Sequence, residues 1–387
     1  MIQSAYIHIP FCQKICHYCD FVKFFYDEQL ADDYLLALEK EIATSLQGEK
    51  LKPRTIFIGG GTPTALTLKQ LDKLMDIIDA HFDLSNCIEF SIEGNPGEFD
   101  GDKMELLKNR GIDRVSLGVQ VFDDAMLEQL GRLHKKADVY NTINSLIRTG
   151  LDNVSLDLIY ALPHQTVEHF HKTLDEALQF KLPHYSTYSL QIEPKTVFYN
   201  MHRQGQLHRP SNEEEAEMYE LLRREMAKSG YRQYEISNFS KPGFESRHNL
   251  TYWSNEYYYG FGAGSHGYLP GKRVVNIRPI PAYIKEASAS GNPVLQVEKI
   301  GRKEEIEEEM FLGLRRLEGV SKIHFKKRYG IDIDDLYREE IEYLQRKGWL
   351  RETADHIHLT DDGILFGNEA MAEFLLDETK MKKVHSR

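Results

Sequence analysis

Between Ser4 and about Gln191 one pattern recurs six times: a short apolar strand, then a segment with helical periodicity. The strand candidates are residues 5–9, 55–58, 88–92, 114–119, 154–159 and 185–191. Between them, residues 32–46 place Leu35, Leu38, Ile42 and Leu46 on one stripe, and 68–81, 103–110, 138–149 and 167–180 follow the same rule. Strands separated by helices imply an α/β fold with a parallel sheet and right-handed crossovers, rolled into a closed or partly closed TIM-like barrel. Barrels of this kind carry their working residues at the C-terminal ends of the strands. The polar and glycine-rich clusters of this sequence fall there.

The rest divides by composition. We expect a core barrel over 1–235, a connecting region over 236–300 and an α+β domain over 301–378. In the last, helices at 304–316, 323–329 and 333–347 precede an alternating stretch at 350–359 and a closing helix at 362–375, an order that resembles a winged helix. Residues 380–387 read as a frayed tail. A winged helix invites a DNA-binding role. Yet the first helix opens on Glu304, Glu305, Glu307, Glu308 and Glu309, and the chain carries a net charge of −12, which repels phosphates and excludes nucleic acid as the main partner. With 41% hydrophobic residues, no membrane-length apolar run and no secretory segment, the expectation is a cytoplasmic globular protein.

Three of the four cysteines, Cys12, Cys16 and Cys19, lie within eight residues. Three thiolates spaced C-x3-C-x2-C can hold three irons of a cubane cluster and leave the fourth open to a ligand. Three neighbouring cysteines cannot all pair as disulfides. Zinc completed by His8 or His17 is the other reading of the spacing. Cys87 reads as a buried thiol at a strand start.

Further clusters follow the later strands. Gly59-Gly60-Gly61-Thr62-Pro63 lets a ligand approach the backbone, and it is not a P-loop, because no Gly-Lys-Ser/Thr follows. Glu93-Gly-Asn95-Pro96 puts a carboxylate where it could hold a ribose hydroxyl or an amine. Ser116, Gln120, Arg132 and Asp157 sit at or just beyond strand ends. Arg132 could fork onto a carboxylate. Asp157, an acid inside an apolar strand, needs a partner or a ligand.

Taken together these features resemble the radical S-adenosylmethionine (SAM) superfamily, whose fold is a partial (β/α)6 barrel. The runs 6–19, 59–63, 93–96, 114–120, 130–134 and 156–163 look like the oxygen-independent coproporphyrinogen III oxidases and their relatives, densely in the first half and loosely in the C-terminal domain. The resemblance implies a [4Fe-4S] cluster on Cys12, Cys16 and Cys19, whose open iron would chelate the amino and carboxylate groups of SAM. It implies SAM contacts at Tyr6, Tyr18, Gly60, Gly61, Thr62, Glu93, Gln120, Arg132 and Asp157. Cleavage of the sulfonium would release a 5′-deoxyadenosyl radical.

Two departures set the chain apart from the oxidase. Phe21 stands where the oxidase has a fourth cysteine, and only eleven residues precede Cys12, where the oxidase carries an extension. A third feature, Arg247-His248-Asn249-Leu250-Thr251-Tyr252-Trp253, is similar to the His-Asn-x-x-Tyr-Trp signature of the radical-SAM haem chaperones. That resemblance implies haem bound by His248 as axial ligand, with Tyr252 and Trp253 as flat surfaces for the macrocycle. It also implies delivery of haem to acceptor proteins, membrane respiratory proteins among them, and admits a homodimer. His266, in a glycine-rich loop, is a second imidazole candidate.

Overall fold

The computed structural model describes residues 2–377 and 380; the expected tail, Lys380 apart, and the last residue of the expected C-terminal domain lie outside them. Six parallel strands form the centre: β1 (Ser4–Ile9), β2 (Thr55–Gly60), β3 (Glu89–Gly94), β4 (Arg114–Gln120), β5 (Val154–Tyr160) and β6 (His184–Ser189). The sheet also includes β7 (Arg232–Glu235), β8 (Asn238–Ser240) and β9 (Tyr259–Phe261), in the order β9-β1-β2-β3-β4-β5-β6-β8-β7. It is therefore a partial barrel. β9 lies parallel to β1 at one edge, and the antiparallel pair β8 and β7 extends the other.

The strands alternate with period two. Ile7, Ile56, Ile58, Phe90, Ile92, Val115, Leu117, Leu156 and Leu158 join the apolar core under the helices. Tyr6, Phe57, Glu93, Ser116, Asp157 and Ser186 line cavities inside the barrel. The interior wall is thus polar, unlike the doubly apolar strands of most parallel sheets.

Helix boundaries follow caps that periodicity does not report. The first helix runs Glu28–Ser45, four residues longer at its start than expected, because the Asp27 side chain accepts a hydrogen bond from Leu30 N–H. The second spans Leu68–His81 as expected, closed by a capping box between Thr67 and Gln70. The short helix Asp124–Gln129 was not anticipated.

The expected boundary at 235/236 cuts through the β7–β8 hairpin, and 236–300 is no mere connector. It contributes two strands to the barrel sheet and three more, His266–Leu269, Lys272–Asn276 and Val294–Lys299, to a sheet of its own. Buried Glu41 of the first helix ties this region to the barrel, accepting from Gly262 N–H at 2.9 Å, from Asn276 at 2.6 Å and from the Tyr283 hydroxyl. In the C-terminal region Val320–Ser321, His356–Leu359 and Leu350–Glu352 form a small antiparallel sheet beside helices Lys322–Tyr329 and Ile333–Arg346, the arrangement of a winged helix.

Candidate functional site

At the C-terminal strand ends lies a cavity of about 420 Å³. The segment after β1 forms one wall, with Cys12, Cys16 and Cys19 all facing the cavity. That segment is held by a two-residue parallel pairing of Phe11–Cys12 with Phe24–Phe25, and by Tyr26 N–H donating to the Cys12 carbonyl at 2.9 Å. Thr62 donates to the Cys12 sulfur at 3.7 Å, and Arg132 donates to the Cys16 sulfur at 3.4 Å. The Thr62 donor favours the thiolate of Cys12. Without a cation, burial pushes the Cys12 thiol up to about 12.

The histidines offered as zinc ligands are engaged elsewhere. His8 uses both ring nitrogens: Nε2 donates to the Val22 carbonyl at 2.7 Å, and Nδ1 accepts from the Tyr6 hydroxyl at 2.9 Å. His17 Nδ1 lies 2.9 Å from the Gln129 carbonyl. Cys87 is remote from this group, is partly exposed rather than buried, and donates to the Glu89 carbonyl at 3.4 Å.

The glycine turn also packs against the protein's own chain. A Cβ on Gly60, whose φ is +122°, would come within 2.6 Å of the His8 ring, and one on Gly61 within 2.8 Å of the Phe11 carbonyl oxygen. The protein's own cysteine-bearing segment occupies the space these glycines vacate. Gly60 N–H donates to Glu93 Oε2 at 2.9 Å. Gly60, Gly61 and Thr62 also line the cavity, so the turn packs that segment and forms part of the cavity wall.

Glu93 and Asp157 face the same space. Burial pushes the Glu93 carboxyl up to about 8, with the Gly60 N–H opposing the rise and Asp157 adding to it. Burial also raises Asp157, against the lowering effect of its serine partners. Asp157 has the partners an acid in an apolar strand requires: Ser116 donates at 2.8 Å and Ser155 at 3.3 Å. Gln120 ends β4 at a bulge with a φ of +71°, a left-handed conformation uncommon outside glycine and characteristic of functional positions. Arg132 is held by Asn95 and the Gly118 carbonyl as well as by Cys16. Asn95 is the residue whose role the sequence did not signal. It joins Arg132 to Thr62, donating to Thr62 Oγ1 at 2.9 Å.

Tyr18, Gly60, Gly61, Thr62, Glu93, Gln120, Arg132 and Asp157 therefore share one cavity with the three cysteines. Tyr6 does not. Its ring lies deeper, in a chamber of about 240 Å³ that also touches Glu93 and Asp157 and reaches His248 and Tyr252.

His248, Tyr252 and Trp253 lie on helix Arg247–Trp253 at the N-terminal ends of the strands, the floor of the barrel. Glu89, at the start of β3, caps the helix: Ser246 Oγ and His248 N–H donate to Oε1 at 3.1 and 2.9 Å, and Arg247 N–H donates to Oε2 at 2.7 Å. His248 is 1% exposed. Thr55 gives its hydroxyl proton to Ser4, so it accepts from His248 Nδ1–H at 2.9 Å. Nε2 then accepts from the Tyr252 hydroxyl at 2.7 Å. Both nitrogens are spent, and burial holds the imidazole neutral, down to about 3. The Tyr252 ring meets Tyr258 edge-on at 4.6 Å, and the Arg315 guanidinium covers the Trp253 ring at 4.5 Å. The flat surfaces and free imidazole expected of this signature are not on display in this conformation. His266 is exposed, and its ring nitrogens have no protein hydrogen bond among the described residues.

A polar-walled partial barrel with three cysteines on a cavity at its mouth defines a protein of the radical SAM class. The Radical SAM superfamily model matches residues 6–177, and the HemN C-terminal domain model matches residues 300–366. The chain is 48% identical to the Heme chaperone HemW of Bacillus subtilis, covering 97% of this chain and 99% of that protein. It is 44% identical to the Heme chaperone HemW of Lactococcus lactis, over 97% and 98%. The solved structure of coproporphyrinogen III oxidase from Escherichia coli superposes with a TM-score of 0.84 at 22% identity, covering 97% of this chain and 90% of that one, a likeness of fold. The chain belongs to the heme chaperone HemW family. Among the described residues no helix is long and apolar enough to cross a membrane.

Proposed function

We propose that this chain is a cytoplasmic haem chaperone that carries a [4Fe-4S] cluster on Cys12, Cys16 and Cys19, binds SAM in the mouth cavity, and passes haem to acceptor proteins. The observation that carries the cofactor reading is the meeting of three cysteines, Tyr18 beside them, and seven residues at or just beyond strand ends on one cavity. The donor set fits the cluster: three sulfurs face the space, with hydrogen-bond donors aimed at two of them. When bound, the cluster and SAM supply a low-potential electron and a cleavable sulfonium.

The chain's residues divide the remaining tasks. Thr62 stabilises the Cys12 sulfur in its charged form. Arg132 also brings its charge to the cavity, where it attracts the SAM carboxylate. Glu93 and Asp157 accept hydrogen bonds from amine or hydroxyl groups, and the bulge at Gln120 turns a polar side chain into the space. The apolar wall at Ile159 and Leu190 limits water. Haem as cargo rests on family membership. In the closed floor arrangement His248 serves as a latch that holds the floor helix, and haem iron would reach it only after Tyr252 is displaced.

The second reading is the oxidase reaction, which the similarity of fold favours and Phe21, in place of a fourth cysteine, disfavours. One anaerobic experiment separates the two. Reconstituted protein is offered haemin and coproporphyrinogen III in parallel; we expect a Soret shift with the first and no protoporphyrinogen from the second. Protoporphyrinogen formation would overturn the chaperone reading.

A further inference from the structure

Beside the mouth cavity, and separate from the floor signature, runs an open groove of about 570 Å³. That volume falls within the roughly 300–1,000 Å³ of ligand pockets. The segment that bears the cysteines forms one side, and Lys195 with Arg278 contributes to the other. Phe21 is 64% exposed, and its neighbours Phe24 and Phe25 are 43% and 58% exposed. Of these three only Phe21 lines the groove, where Val22, Pro194 and Pro279 complete its apolar lining.

Two elements fix this geometry. A Cβ on Gly264 would come within 2.4 Å of the Val22 side chain, so the loop before His266 packs tightly against the groove wall. Gly264 N–H then donates to the Ile277 carbonyl at 3.0 Å, which sets Arg278 and Pro279 on the groove's far side. Lys195 is placed by a left-handed turn with a φ of +69°.

The charges decide what such a surface accepts. Lys23 is engaged by the Cys19 carbonyl. Lys195 and Arg278 are exposed and form no ion pair among the described residues. Asp20 and Glu193 line the same groove and repel carboxylates from their own positions, which leaves Lys195 and Arg278 as the anchoring points. The exposed Phe21 ring, flanked by two prolines and two uncommitted cations, complements a flat apolar ligand with two carboxylates.

Resting on the chaperone reading, we infer that this groove is the haem-docking face, with the macrocycle against Phe21 and the two propionates on Lys195 and Arg278. Haem is thereby held at the mouth, beside the cysteine-bearing segment, and stays open to an acceptor. Phe21 also lines the mouth cavity and the inner chamber, so the ring would lie directly over the SAM site. The position that holds a cysteine in the oxidase is in this chain part of a hydrophobic seat.

The test is titration of the full chain with haemin and with haemin dimethyl ester, whose propionates carry no charge. Wild type is compared with Lys195→Glu/Arg278→Glu and with Lys195→Gln/Arg278→Gln. Each exposed pair is worth up to about fivefold in affinity, so the charge-reversed variant should bind haemin roughly tenfold more weakly and the neutral one a few-fold more weakly. Ester binding and the cluster absorbance should be unchanged in both. Haemin affinity within twofold of wild type in the charge-reversed variant, or an equal loss for the ester, would overturn the groove while leaving the chaperone reading intact. A wild type that does not bind haemin at all would overturn the chaperone reading itself.

Discussion

The mouth and the floor of this barrel are built from the same strands and prepared for opposite tasks. At the mouth the thiols have donors aimed at them but no cation, two buried carboxyls are raised by burial, and Lys195 and Arg278 stand without ion-pair partners among the described residues. At the floor Glu89 takes three donors and the His248 ring spends both nitrogens, while the buried Trp253 indole N–H has no partner among the described residues and lies under the Arg315 guanidinium. Unsatisfied potential marks where a ligand is awaited, and satisfied networks mark where the protein holds itself together. The family signature thus sits at the end that this conformation has closed.

The comparison can be broken at either end. The largest effect belongs to the mouth. Replacing Cys12, Cys16 or Cys19 with Ala should abolish the brown absorbance of anaerobically reconstituted protein, whereas Cys87→Ala should retain it. Loss of the cluster in Cys87→Ala would give the remote thiol a place in the site. Next comes the floor: Glu89→Ala strands three donors, two of them buried, and urea denaturation should record a loss of about 3 kcal/mol. A loss under 1 kcal/mol would mean that the floor helix is not latched.

Arg132→Ala should weaken SAM binding roughly tenfold or more in calorimetry under argon, the cost of one charge-assisted contact. Unchanged affinity would confine Arg132 to holding Cys16. A smaller effect is set by pH. His248 titrates near 6.5 when unfolded and near 3 when folded, so the unfolded chain takes up more protons between those values, and the stability that His248 contributes falls as pH drops through that window. At pH 5.5 the loss from His248 alone is about 1.4 kcal/mol, and the acid limb of the stability curve should be shallower in His248→Gln. Last, the Soret band of bound haem should not move in His248→Ala. A displaced band would show that the floor opens to take the iron, and would reverse the assignment of the two ends.

Much of the mouth was legible because its residues announce themselves locally. The cysteine spacing, the glycine turn and the acids at strand ends each occupy a few consecutive positions, and six strand–helix units carry them to one rim. The meaning of the glycines was not legible, because it depends on His8 and the Phe11 carbonyl, which come from a different strand end. Asn95 escaped notice for the same reason: its partners, Thr62 and Arg132, are more than thirty residues away on either side. Tyr6 was placed with the cavity residues, but it stands three residues before the C-terminal end of β1, which sets its ring in the deeper chamber.

What the sequence determined by itself was the class of fold, the cysteine triad, the set of strand-end groups and the family. These follow from periodicity and short-range spacing, which every copy of the chain carries before it folds. Which groups are free and which are spent was decided by tertiary structure alone. His248 reads as a ligand in the sequence, and in this conformation Thr55 and Tyr252 take both ring nitrogens while Glu89 caps its helix. Lys195 and Arg278 read as ordinary surface charges and come to line one groove because a left-handed turn places the first and the loop packed on Val22 places the second. Hydrogen-bond saturation belongs to the assembled neighbourhood of a side chain, and no stretch of sequence contains that neighbourhood.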